Sequence, residues 1–379
     1  MRILLIGEYS RLHNSLKEAL IHLGHEVTLV GNGDGFKDFP VDHNIDAKIS
    51  KKGIVNIARQ AVFRIFKYDF AAVEYGIRFH RLLPQLKDYD VVQLIGESPI
   101  RTTIRFEFSL LKKIHSQNKK MFLLSSGTDV VFVKAAVEKK FRYSLYDPYL
   151  KDKSVVDEYR FFLQNMSEPF KNHHKKVYEL INGVIATDMD YAIALDGYPK
   201  YLGLIPNPVN TEKIPFEEWK ISGKIVIFHG INRWNYHKKG IVFFEQALKI
   251  IQKKYPEKIK VITVDTLPYK QYIKLYDEAH ILLDQVYAYD QGYNALEAMA
   301  KGKVVFTGAE REFSEYYNLK ERVAVNALPD VNEIVNELSF LIENPEEITL
   351  MGKRARTFIE KEHDYLKIAK KYLEVWSQH

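Results

Sequence analysis

Short apolar runs alternate with stretches whose apolar residues recur at helical spacing, and the alternation continues along the chain. Residues 2–6 predict a buried strand, and residues 14–23 carry Leu16, Leu20 and Leu23 on one helical face. Gly24 ends that helix and residues 26–30 return as a strand, which completes a βαβ unit. Strands follow at 91–95, 121–125, 184–187 and 202–205, with helix-compatible stretches between them. A parallel sheet with helices on both faces accounts for this order.

Pro206-Asn207-Pro208 interrupts the pattern, because neither a helix nor a central strand accommodates it. The alternation then restarts: strand 225–229, helix 241–254, strand 260–264, helix 269–277, strand 281–284 and strand 304–307. Helical runs at 331–343 and from 349 onward close the chain. The expected architecture is α/β, with two doubly wound Rossmann-like domains facing a cleft, the first over residues 1–205 and the second over 206–360. Residues 361–379 form a last helix. Ligands of such folds bind at the carboxyl ends of the strands, so function is expected in the cleft.

Two regions stand apart. Residues 130–180, including KAAVEKKFRYSLYDPYLKDK, look helical without a clean core face and read as an insertion in the first domain. Residues 51–67 place Ile54, Ala58, Ala61, Val62 and Ile65 on one helical face against Lys51, Lys52, Arg59 and Lys67. That is a basic amphipathic helix, read as an ordinary surface helix or as one that touches a membrane.

Composition narrows the classes. A length of 379 residues fits two domains at about 150 residues each. Without cysteine there is no disulfide framework and no thiolate metal site. The four-residue apolar run after Arg2 is too short for a secretion signal or a span, so a soluble cytoplasmic protein is expected. A net charge of +6 suits nucleotides, nucleic acid or anionic lipid. The 24 tyrosines and 22 phenylalanines suit large cores and sugar-binding faces alike.

The stretch YDQGYNALEAMAKGKVVFTG, residues 289–308, joins a glycine-punctuated loop to a helix expected from about Ala295. Gly292, Tyr293 and Asn294 would offer backbone N–H groups and the positive end of a helix dipole to an anion. Glu297, expected in the first turn, suits two ribose hydroxyls, although an acid there also favours its own helix N-terminus. HGINRWNYHKKG follows the first strand of the second domain, where Arg233 and either Lys238 or Lys239 suit a diphosphate. In the first domain, Gly7 allows close approach to a ligand or simply a tight turn, and Ser126, Gly127 and Asp129 of SSGTD end a strand at the cleft.

Other signals are set aside. Asp188-Met189-Asp190 has a metal-holding spacing but reads as a helix cap, and His173-His174 lacks same-face spacing. No metal is inferred. G-x-G-x-x-G, the P-loop and the nucleophile elbow are all missing.

Taken together, MRILLIGEYS with ALIHLGHEVTLV, the hinge IPNPVNTEKI, HGINRWNYHKKG and YNALEAMAKGKVV resemble glycosyltransferases of the GT-B fold, of the retaining family 4 type, over nearly the full length. EHDYLKIAKKYLEVW is similar to that family's last helix, which crosses back to the first domain. The resemblance implies a nucleotide diphosphate sugar held by the second domain, with Arg233 and Lys239 on the diphosphate and Glu297 on the ribose. It implies a hydroxyl acceptor, such as a glycan or lipid-linked precursor, entering from the first domain. The family's second acid, in E-x(7)-E, corresponds to Tyr289, so Asp284 or Asp290 is expected to contribute to donor binding instead. The family's histidine before G-x-D corresponds to Ser126.

The expected activity is sugar transfer with retention in polysaccharide or lipid-linked glycan synthesis, needing no metal or other cofactor and placed in the cytoplasm or at the inner membrane face. A nucleotide-sugar-binding subunit with little catalysis and a sugar-nucleotide epimerase of the same fold are the alternatives. Nucleic acid is not an expected partner, since no binding module accompanies the charge.

Overall fold

The structure is a computed structural model and describes residues 1–33, 39–66, 68–265 and 269–379, with the backbone alone at 269–272. Its strands are β1 (Arg2–Ile6), β2 (Glu26–Gly31), β3 (His43–Asn44), β4 (Val91–Leu94), β5 (Lys120–Ser125), β6 (Gly183–Ala186) and β7 (Tyr201–Leu204) in the first domain. The second has β8 (Ile225–Ile231), β9 (Ile259–Asp265), β10 (Ile281–Leu283), β11 (Val304–Thr307) and β12 (Val325–Asn326). The two-residue strands β3 and β12 carry too little pattern to be seen in the sequence. They extend one edge of each sheet.

The first sheet runs β3-β2-β1-β4-β5-β6-β7 and the second β12-β11-β10-β8-β9, and every pairing is parallel. Order reverses beside β1 in one sheet and beside β8 in the other, and such points open a crevice at the strands' carboxyl ends. Strands buried on both faces read as continuous apolar runs, as RILLI and ILL do. The doubly wound architecture expected from the alternation is the one observed.

Each sheet has a core on either side. In the first domain, one core lies under the helices of residues 130–180, which form Val130–Val137, Asp147–Lys151, Val156–Gln164 and Glu168–Leu180. The aromatic residues of that stretch pack among themselves, with Tyr146 stacked on Phe162 at 4.5 Å between centroids. The opposite face is covered by Leu12–His22 and by the last helix, Tyr365–Gln378, whose Ile368, Tyr372 and Trp376 are fully buried against β1 and β5. The amide of Val209, just after Pro206-Asn207-Pro208, donates to the carbonyl of His363 at 2.8 Å, which ties that segment to the chain just before the last helix.

Candidate functional site

The cleft between the domains holds a cavity of about 330 Å³. Its second-domain wall is built by two loops. The loop after β8 brings Lys238 and Lys239 to the cavity, and the segment after β10 brings Asp290, Gly292 and Tyr293. The helix that follows spans Tyr293–Ala300 with Gly292 as its cap and no side chain on the first amides, so a positive helix end opens at the cavity. Glu297 therefore sits in the second turn, not the first. It is half-buried and outside the cavity lining.

Lys239 is held by side chains of its own domain. Its Nζ lies 3.0 Å from Oδ1 of Asp284, a carboxylate that is 2% exposed, and the same oxygen accepts from Asn294 Nδ2 at 3.1 Å. Asp284 and Asn294, expected among the donor-binding residues, are thus turned toward each other and toward Lys239, away from the cavity. Lys238 precedes the helix Ile241–Lys254 and lies over the Tyr159 ring at 5.6 Å, with its ammonium pKa lowered by burial. Arg233 is elsewhere: it pairs with Asp265 at the end of β9 at 2.6 Å, is 57% exposed and does not reach the cavity lining.

The first-domain wall includes Tyr9, Ser126 and Asp190. The Ser126 hydroxyl donates to the Ile95 carbonyl at 2.8 Å, which fixes the loop. Gly127 has open space beside it and does not line the cavity. Asp129 faces inward, capping the helix Val130–Val137 through the Phe132 amide at 2.7 Å and accepting from Ser125 at 2.6 Å. Burial, and then the charge of Glu97, pushes Asp129 up to about 7. Gly7 is explained by packing instead of ligand approach: at φ +89 its missing Cβ would stand 2.3 Å from Ile95 Cγ2.

Three carboxylates meet where the domains touch. Asp190 Oδ2 accepts the amides of Tyr289 at 3.0 Å and Asp290 at 3.2 Å, while Asp290 returns the contact by accepting the amide of Met189 at 3.1 Å. Asp188 caps the helix Met189–Leu195 through Tyr191. Burial, with mutual repulsion, pushes Asp190 up to about 7 and Asp188 well up, and burial pushes Asp290 up to about 6. Among the described residues no group of His, Cys, Asp or Glu is arranged to hold a metal.

This trio predicts a pH effect. Unfolded aspartates titrate near 4, so between about 4 and 7 the native state keeps protons that the unfolded chain releases. Its stability contribution is full at the acid end of that window and declines as pH rises through it. Asp190→Asn keeps one oxygen for both amides and removes the charge, and should stabilise the fold at pH 8 by on the order of 2 kcal/mol relative to pH 5. Buried His13, His229 and His363, held near 4, act in the opposite sense in both proteins. Melting curves of variant and wild type that shift in parallel between the two pH values would contradict the coupling.

Sequence reasoning missed the first-domain insertion's part in the site. Tyr289, at the position where the resemblance implies an acid, is 2% exposed. Its hydroxyl accepts the Arg142 amide at 2.6 Å and its ring packs on Phe141 and Tyr143. Arg142 also reaches Glu310 at 2.6 Å and Glu312 at 2.5 Å. Farther along, Glu158 accepts from the backbone amides of His237 at 3.2 Å and Lys238 at 3.0 Å and pairs with His237 Nδ1 at 2.8 Å. A carboxylate of the first domain thus takes two amides of the β8 loop. Nothing in the local pattern around Glu158 marks it for this contact. Asp190 was visible in D-x-D, but its partner in the other domain was not.

Solved structures with the same two-sheet arrangement settle the architecture. The chain has the GT-B fold. Sucrose-phosphate synthase from Thermosynechococcus elongatus superposes with a TM-score of 0.62 at 16% identity, over 100% of this chain and 98% of that one. Anabaena HepE in complex with UDP and glucose gives 0.58 at 11% identity, over 100% of both chains. UDP-GlcNAc 2-epimerase from Neisseria meningitidis, bound to UDP-GlcNAc, gives 0.53 at 15% identity, also over 100% of both. Residues 227–374 match the family model described as glycosyl transferase-like, which marks the second GT-B domain and the last helices. No curated protein matches the sequence.

Proposed function

We propose that the protein transfers a sugar from a nucleotide diphosphate sugar to a hydroxyl acceptor, with retention at the anomeric carbon. The observation that carries this reading is the convergence of Lys239, held by Asp284, and the open helix end at Gly292 on one cavity of a GT-B cleft. Both supply positive potential where a departing diphosphate gains negative charge. The glycosyl transferase-like match over residues 227–374 and the UDP-bound neighbours support the same ligand class.

In this reading the bond from the anomeric carbon to the phosphate oxygen breaks as the acceptor oxygen bonds to the same face. The acceptor's proton passes to the departing phosphate oxygen. Lys239 and the helix amides hold that diphosphate, Lys238 screens it, and Glu297 takes the ribose hydroxyls. Arg233, exposed and paired with Asp265, joins by exchanging that partner for phosphate. No metal is needed, because the cationic side chain and the amides carry the charge. The acceptor, a glycan or lipid-linked precursor, enters past Ser126, in the cytoplasm or at the inner face of a membrane.

The test is ligand binding followed by turnover. Melting temperature should rise with one of UDP, GDP or ADP and its sugars, since a ligand that binds only the folded state stabilises it. Purified protein should then hydrolyse that donor slowly, and Glu297→Ala or Arg233→Ala should raise its KM. No response to any of the three nucleotides would reject the reading. The full-length match to the Neisseria epimerase favours one alternative, epimerisation, in which sugar nucleotide is converted without acceptor and without release of nucleotide diphosphate.

A further inference from the structure

The helix Gly53–Phe66 is mounted inside out. None of its residues is buried, and its apolar side chains face water: Ile54 is 84% exposed, Ile57 68%, and Ile65 and Phe66 71% each. The side toward the body carries Asn56, Arg59 and Val62, the only partly buried residues of the helix, two of them polar. Arg59 clamps Asp69 through two hydrogen bonds at 2.7 and 3.0 Å and touches Asn56 at 3.0 Å. The start of the helix is pinned as well. Glu74 accepts the Ser50 hydroxyl and the amides of Lys48, Ile49 and Ser50, and against the opposing effect of burial those bonds hold its carboxyl down to about 2. Lys51 pairs with Asp46 at 2.5 Å.

Polar anchors on the inner side therefore hold the apolar side outward, the reverse of a surface helix that buries its apolar stripe. Isolated exposed apolar residues are ordinary, but a contiguous stripe on one helix marks a contact surface. Charge says what covers it. Residues 47–68 contain six basic residues and no acid. Lys48, Lys52 and Arg64 are exposed and have no acidic partner among the described residues, and Lys67 lies outside them. Among the described residues no helix is long and apolar enough to cross a membrane. An apolar stripe flanked by unpaired cations matches the boundary of an anionic bilayer, where the stripe enters the acyl region and the cations meet phosphate.

We infer that Gly53–Phe66 is a docking helix for an anionic lipid surface, which would bring the first domain and its cleft to the membrane. The inference deepens the proposed reaction only in where the acceptor is met, and it does not depend on turnover. Full-length protein should co-sediment with phosphatidylcholine vesicles containing phosphatidylglycerol and much less with phosphatidylcholine alone. Ile57→Asp with Ile65→Asp, both at exposed positions, should lower the partition coefficient by about tenfold or more. Lys52→Glu with Arg64→Glu should do so for the anionic vesicles, with weakening in high salt.

Wild type that stays in solution with anionic vesicles overturns the inference, as does variant binding equal to wild type. Equal binding to neutral vesicles overturns its charge component. A wild-type dimer that Ile57→Asp converts to monomer, without vesicle binding, assigns the face to a second copy instead. Nucleotide-induced melting shifts, unchanged in these variants, keep the outcome separate from that of the proposed reaction.

Discussion

Lys239→Ala is expected to lower donor turnover by about 10²–10³-fold, the range for losing one preorganised charge-stabilising donor at a reacting centre. The same change has a structural cost, because Asp284 is almost fully buried and would keep only the Asn294 amide on the oxygen that Lys239 now shares. Removing one partner of a buried ion pair costs about 3–5 kcal/mol. The two effects separate in a second variant. Adding Asp284→Asn removes the stranded charge, so the double variant should recover most of the melting temperature and none of the turnover. If turnover returned with stability, Lys239 would be a support for Asp284 and the leaving group would be stabilised elsewhere.

Trp376→Ala should be the most damaging single change to the fold outside the cleft. The Trp376 side chain is fully buried and packs on Phe122 and Tyr372. Its indole N–H donates to Gln93 Oε1 at 3.1 Å inside the first sheet. Truncating a buried tryptophan costs about 3–5 kcal/mol, and here it also strands an amide oxygen on β4. The last helix belongs to the chain's end yet covers the first domain, so its loss loosens the join between the domains as well. Urea unfolding of Trp376→Ala and Trp376→Phe measures this. Phe should keep most of the packing and lose the hydrogen bond, giving a smaller deficit; a loss under about 1 kcal/mol in the alanine variant would show that the helix rests on other contacts.

The contrast between Lys239 and Arg233 shows how far local pattern reaches. Both stand in HGINRWNYHKKG after β8, and sequence alone gave them one role. Lys239 lines the cavity while Asp284, just after β10, holds its ammonium from behind. Arg233 turns to Asp265 at the end of β9. Which strand end supplies the counter-charge is a question of sheet order, and neighbours in the sheet are distant in sequence. The helix end at Gly292 was legible to within two residues, because the loop and the helix it opens are neighbours in the chain. Tyr293 also illustrates a hidden constraint: its hydroxyl is engaged by Ser15 and by the Pro208 carbonyl, across the domain boundary.

Residues 130–180 were the least legible part for the same reason. Their aromatic and basic residues show no single helical face because they serve three surfaces at once: their own aromatic cluster, the sheet beneath and the second domain through Arg142 and Glu158. The amphipathic pattern of residues 51–67 was legible, but the orientation of the helix Gly53–Phe66 was not, since that depends on Asp69 and Glu74 holding it and the segment before it.

By itself the sequence determined the strand and helix alternation and the two doubly wound sheets, because periodicity, glycine stops and proline breaks act within a few residues of chain. Tertiary structure alone decided which cations face the cleft, that Tyr289 became a packing joint and that a carboxylate of the first domain sits on the β8-loop amides. Those outcomes depend on charges and donors brought together across the domain interface, where separation along the chain carries no information about distance in space.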